Sequence, residues 1–177
     1  MNFTDSRLSL AVLLLSCALL IGAGVVLAED LPVPTDAPAK VALPDSIENG
    51  GYYLSVTVET DFATTVENTR TALEGEGFGV LTEIDLRAKL AEKLRTEIPP
   101  YLILGACHPP LAHAVYVDEG WIGAMMPCNF VIREMADGTV AVAVKNPLML
   151  PVATGNPELE VAARELTAAA GRVLEAL

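Results

Sequence analysis

Apolar and polar side chains alternate with period two along Tyr52 to Glu59 (YYLSVTVE), and the β-branched and aromatic content of that run predicts a strand. The period then lengthens. Asp61 stands as N-cap to a helix reaching about Glu76, with Phe62, Val66, Thr69 and Leu73 along one side and Gly75 and Gly77 at its end. Phe78 to Ile84 predicts a second strand. Asp85 or Leu86 opens a second helix, where Leu86, Leu90 and Leu94 recur at helical spacing until Pro99 and Pro100 stop it. Tyr101 to Ala106 is apolar, the pattern of a strand buried on both faces. Pro109 and Pro110 suit the first turn of a short helix, Leu111 to Asp118, and Gly120 and Gly123 bracket a turn. Cys128 to Met135 predicts a fourth strand, and Ala136-Asp137-Gly138 a hairpin into a fifth, Thr139 to Val144. After a loop rich in proline and glycine, Pro157 starts a closing helix. Leu159, Ala162, Ala163, Leu166, Ala170, Val173, Leu174 and Leu177 mark its buried face. The order β-α-β-α-β-α-β-β-α predicts an α/β (α+β) fold, a two-layer sandwich with helices packed on one face of a mixed β-sheet.

The pattern upstream of Gly51 is different. Leu8 to Ala28 is an uncharged apolar run, preceded by Arg7 and followed by Glu29 and Asp30, and Val26 and Ala28 are small residues placed for leader cleavage before Glu29. Residues 1–28 therefore read as a signal peptide, with two alternatives. The run is long enough to span a bilayer as an uncleaved anchor, for which about 20 apolar residues suffice. Leu14-Leu15-Ser16-Cys17 also resembles a lipoprotein box, although the chain stays apolar after Cys17. All three readings export the domain to the periplasm or cell exterior, with membrane contact only through a retained amino-terminal segment. Residues 29–50, with Pro32, Pro34, Pro38 and Pro44, read as a proline-rich linker, and residues 51–177 as a single globular domain.

Composition narrows the partners. The 177 residues are 52% hydrophobic and 19% charged, and much of the mean hydropathy of +0.43 comes from the amino end. Twenty-three acidic against eleven basic residues give a formal net charge of −12, which repels phosphate backbones and anionic headgroups and argues against nucleic acid. The same charge attracts cations, metal ions among them.

The redox-active and soft side chains gather between Tyr101 and Phe130, which holds Cys107, Cys128, His108, His113, Met125 and Met126. Twenty residues separate the two cysteines, at the end of one predicted strand and the start of another. If those strands are neighbours, the sulfurs could meet in a disulfide, which an oxidising compartment favours and which would stabilise the domain by about 3 kcal/mol. Alternatives to the disulfide are buried inert thiols, a reactive thiolate or a metal site. His108 is a ligand or a hydrogen-bonded loop residue, and His113 an ordinary helix residue. Met125 and Met126, on an extended segment, point to opposite faces, so only one, taken as Met126, could join Cys128. Trp121 and Tyr116 read as packing residues or a dimer contact. Glu83 and Asp85 could form an acid/base pair, but capping by Asp85 is the plainer account. The sequence contains no phosphate loop, serine-triad signature, HExxH or CxxC, and without CxxCH no covalent haem site; noncovalent haem stays open.

Three segments carry a resemblance: GFGVLTEIDL at Gly77 to Leu86, YLILGACHPPLAH at Tyr101 to His113, and MMPCNFVIRE at Met125 to Glu134. With Asn146-Pro147, Met149-Leu150 and Gly155-Asn156-Pro157 they resemble the domain of unknown function 302 family over nearly all of the chain after Tyr52. The resemblance implies a compact α/β domain, often paired as a homodimer, and implies little about activity. His108, where asparagine is common, and Met125-Met126, where aliphatic pairs are common, each add a metal-ligand type beside a cysteine.

Three functional readings follow. The first is a periplasmic redox-active or soft-metal accessory module with Cys107, His108, Met126 and Cys128 as candidate ligands. Copper(I) suits thiolate, thioether and imidazole together, better than zinc, which wants four clear ligands. The second is a non-catalytic dimeric domain that binds a ligand or partner and uses the cysteine pair only structurally. The third is an enzyme with Cys107 as nucleophile, its pKa lowered by the helix that follows.

Overall fold

The computed structural model describes residues 41–177. The expected signal segment, 1–28, and the larger part of the linker, 29–40, lie outside the described residues. Six strands form one sheet: β1 (Glu48–Asn49), β2 (Tyr53–Val58), β3 (Gly79–Asp85), β4 (Tyr101–Cys107), β5 (Cys128–Glu134) and β6 (Val140–Lys145), in the order β1-β2-β6-β5-β4-β3. The helices are α1 (Phe62–Gly75), α2 (Leu86–Leu94), α3 (Pro109–Asp118), α4 (Met149–Thr154) and α5 (Glu160–Glu175). The two-layer α+β sandwich expected from the element order is the observed fold.

The sheet is wholly antiparallel, where a mixed one was expected. A strand-helix-strand order suggests parallel neighbours, but α2 and α3 each return the chain antiparallel to the strand it has just left. Only α1 makes a long crossover, carrying the chain from β2 to the far edge at β3. Two elements have no counterpart in the sequence reading. β1 adds a strand beside β2, with Ile47 buried just before it, so the sheet begins upstream of Gly51. The six-residue α4 lies where a loop was expected.

Alternation along the strands sends one set of side chains into the helix layer. Register aligns Leu54, Val144, Phe130 and Leu104 across four strands, all at most 1% exposed. α5 covers this face with Ala163, Leu166, Ala170, Val173 and Leu174, and α1 with Val66 and Leu73. Buried threonines in these two helices satisfy their hydroxyls locally: Thr69 donates to the Thr65 carbonyl at 2.7 Å and Thr167 to the Ala163 carbonyl at 2.8 Å. The opposite face of the sheet is open, so β4, expected to be buried on both faces, has Tyr101 and Ile103 only half-buried.

At the other margin β3 is exposed along its whole length, with Leu81 and Ile84 at 66% and 44%, and its register with β4 shifts between Val80 and Thr82. Tyr116 and Trp121 are also exposed, at 60% and 88%, because they point away from the helix–sheet layer; they do not fill the core.

Gly105 in β4 is a close approach. A Cβ there would lie 2.2 Å from Thr82 Oγ1 and 2.7 Å from Pro127 Cγ. The threonine can rotate at the sheet edge, but a proline ring atom cannot swing away. Gly105→Ala is expected to destabilise the fold by about 1–3 kcal/mol, the usual cost of overpacking, in denaturant melts. Unchanged stability would show that β3 yields freely at this point.

Candidate functional site

The site is built outward from the end of α1. Gly77, at φ +78°, adopts the left-handed conformation that glycine tolerates best. Its N–H donates to the Glu74 carbonyl at 3.1 Å and that of Phe78 to the Leu73 carbonyl at 2.9 Å, the paired bonds of a Schellman cap. Leu73 and Phe78 are both buried, completing the cap with its apolar contact. This termination fixes the ring of Phe78, which stands edge-on to Phe130 (centroids 5.8 Å apart) and to His108 (5.3 Å). Gly77 also leaves room for the imidazole: a Cβ there would lie 3.2 Å from His108 Nε2.

His108 is the N-cap residue of α3, yet its side chain makes no capping bond. Its Nδ1 is buried and has no hydrogen-bond partner among the described residues. A buried polar nitrogen without a partner is uncommon and calls for an explanation.

β4 ends and β5 begins at the same end of the sheet, so the strands carrying the two cysteines are neighbours. Cys128 lies opposite Ala106 in the register, one position from Cys107, and both cysteines are free thiols. They line a cavity of about 20 Å³ with His108, Met125, Met126 and Lys145, enclosed by apolar side chains such as Val115, Ile122 and Leu166. That is room for about one water-sized species. The structure thus brings all four candidate ligands, Cys107, His108, Met126 and Cys128, to one small space. His113 is exposed on α3 and stays away. Among the described residues no group of three or more His, Cys, Asp or Glu side chains is placed to hold a metal ion, so any such centre would need the thioethers.

One expectation changes here, and one residue joins the site. Met125 and Met126 both reach the cavity, because Met125 closes a 3-10 turn (Ile122–Met125) and the segment is not extended until Met126. Lys145 is the member that sequence reasoning missed. It ends β6 as the last polar position of an ordinary alternation, and only the register of β5 on β6 brings it near Cys128. Its Nζ donates to the Met125 carbonyl. Glu83 and Asp85, weighed as an acid/base pair, have separate structural partners: Glu83 pairs with Arg70, and Asp85 accepts from the Ala88 N–H at 2.8 Å.

Burial sets the protonation of the site. It pushes the Cys128 thiol up, against which the Lys145 ammonium pulls down and the Cys107 thiol adds a smaller upward push. It also pushes the Cys107 thiol up, the opposite of the lowering expected from the adjacent helix. Burial is the cause, and Pro109 and Pro110 leave the first two residues of α3 without the N–H groups that would face a thiolate. Burial depresses Lys145, and Cys128 offsets part of that.

A raised thiol pKa in the fold means that the folded state favours the protonated form. The stability this contributes is complete below the ordinary thiol value of about 8.5 and is lost as pH rises through the folded value. Stability is therefore expected to decline in alkali more steeply than in Cys128→Ala, as followed by thermal melts between pH 7 and 10. Alkylation with iodoacetamide should give profiles displaced to high pH for both thiols. Lys145→Met should slow Cys128 further, by up to about tenfold, the size of one pKa unit. An unchanged rate would mean that Lys145 does not act on the thiol.

Comparison with known proteins agrees with this architecture. Among curated proteins none matches the chain. A crystal structure of an uncharacterized conserved protein, DUF302, from Bacillus stearothermophilus is similar, with a TM-score of 0.67 and 28% sequence identity over 71% of this chain and 98% of that one. The family described as Domain of unknown function DUF302 matches residues 54–177, from β2 to the carboxyl end, and the chain belongs to that family.

Proposed function

We propose that this is an exported accessory domain that holds one soft metal ion, copper(I), in the cavity at the ends of β4 and β5. The observation that carries the reading is the composition of that cavity: two free thiols, two thioethers and an imidazole whose Nδ1 lacks a partner, around the volume of a single small species. Thiolate and thioether together select copper(I) over harder ions. Cys107 and Cys128 would be the anionic ligands, with the Met126 thioether as the neutral one and His108 at the cavity wall. Two thiolates around one monovalent cation leave a net charge of −1, and Lys145 supplies the compensating positive charge at the cavity wall. The raised thiol pKa values fit a site that stays protonated until a metal displaces the protons. Export rests on the apolar run Leu8 to Ala28, which would place the domain in the periplasm or hold it at the membrane facing outward.

Anaerobic titration of the fully reduced protein against a chromophoric copper(I) chelator tests the proposal. One equivalent of copper should leave the chelator. Cys107→Ser and Cys128→Ser should each weaken binding by more than about tenfold, a change of about 1.4 kcal/mol. If the reduced protein leaves all of the copper with the chelator, the reading is wrong.

A further inference from the structure

The open face of the sheet carries a second cavity, a groove of about 390 Å³ whose described lining comes from strands and the residues beside them, with no helix residue. That is within the roughly 300–1,000 Å³ of small-ligand sites. Strand alternation explains its shape. Ser55, Ala141 and Ala143 are the outward positions of β2 and β6, and their short side chains leave the floor low. Tyr53 and Tyr101 stand taller beside them and give the groove aromatic walls.

Charge says what would lie there. The chain has a formal net charge of −12, and most of its described cations stand in ion pairs: Arg70 with Glu83, Arg87 with Glu97, Lys89 and Lys93 with Glu92, Arg164 with Glu160, and Arg172 with Glu76. Among the described residues, Arg133, Lys145 and Arg95 have no carboxylate within ion-pair distance, and two of these three line the groove. Arg133 is opposite Ala141 in the register and Lys145 opposite Tyr53, four positions along β6. At about 3.3 Å per residue they flank some 13 Å of apolar floor. Arg133 is exposed and donates only a weak bond, from Nε to Met135 Sδ at 3.1 Å, so its terminal nitrogens are free to meet a carboxylate in the paired geometry that guanidinium favours. Glu48, the single acid in the lining, is engaged by the Tyr53 hydroxyl at 3.4 Å.

We infer that this groove binds an organic monoanion with a flat apolar body, its carboxylate or sulfonate on Arg133 and its body over Ala141, Ala143 and Val131. The site shares only Lys145 with the thiol cavity, and neither Arg133 nor Ala143 lines that cavity.

The test uses 2-naphthoate and its neutral counterpart, 2-naphthamide, titrated calorimetrically into the purified protein. Saturable 1:1 binding of the naphthoate is expected, at least about tenfold tighter than that of the amide. Arg133→Gln, a change at an exposed position, should weaken it by a similar factor, and Ala143→Phe should abolish it by filling the floor. Equal affinity for both compounds, or binding indifferent to Arg133→Gln, would overturn the inference. So would a dimer in sedimentation that Ala143→Phe dissociates and naphthoate does not disturb, because the groove would then be a subunit interface.

Discussion

One row of side chains holds this domain in its arrangement: Leu54, Val144, Phe130 and Leu104, side by side across four strands and sealed from water. Each large apolar side chain removed from water contributes about 1.5–3 kcal/mol, and a one-residue slip in any strand would turn its member of the row to the open face. The row therefore fixes register, and register fixes everything at the sheet ends. Phe130 is its pivot. Beneath the helices it meets Phe78, Phe78 meets His108, and the same strand begins two residues earlier with Cys128.

The two faces of the sheet take different chemistry from one alternation. Toward the helices, most described side chains are apolar, and the thiols and the imidazole of His108 crowd into the small cavity at the strand ends. Away from them, short residues and tyrosines form a wide, open groove with cations at its margins. Lys145 belongs to both, since it lines the groove and the cavity alike. Its partial burial and its bond to the Met125 carbonyl hold it at the boundary. Chemistry on one side is thereby placed within electrostatic reach of the other.

The sequence was most legible where a period runs long enough to be read. Val66, Thr69 and Leu73 on α1, and Ala163, Leu166, Val173 and Leu174 on α5, are buried as their helical spacing predicts, and the alternating runs become β2, β5 and β6. Short elements were not legible: β1 has two residues and α4 six, less than the window over which periodicity is defined. Sheet order was not legible either, because hydrophobic pattern says which residues a strand buries and nothing of its neighbours. The candidate site was readable to the extent that residue type alone marks its members. Cys107, His108, Met126 and Cys128 belong to residue types that carry soft-ligand chemistry, whereas Lys145 arrives on the neighbouring strand β6 as the end of an ordinary alternation and carries no local signal. The rise of the Cys107 thiol was not legible, because it comes from burial, which depends on residues brought together by the fold and not on the helix start beside it in the chain.

The margins of the sheet have a further consequence. A sheet edge normally offers a row of unpaired N–H and C=O groups to any passing strand, and long flat edges are where proteins stick to one another. Here one margin is β1, only two residues long and bearing Glu48, and the other is β3, whose ladder is broken by the irregularity between Val80 and Thr82 and which carries Glu83 and Asp85. Neither offers a straight, uncharged template. Extending the sheet by an added strand is disfavoured along β1 and β3, and the apolar side chains of β3 lie exposed on a broken, charged edge.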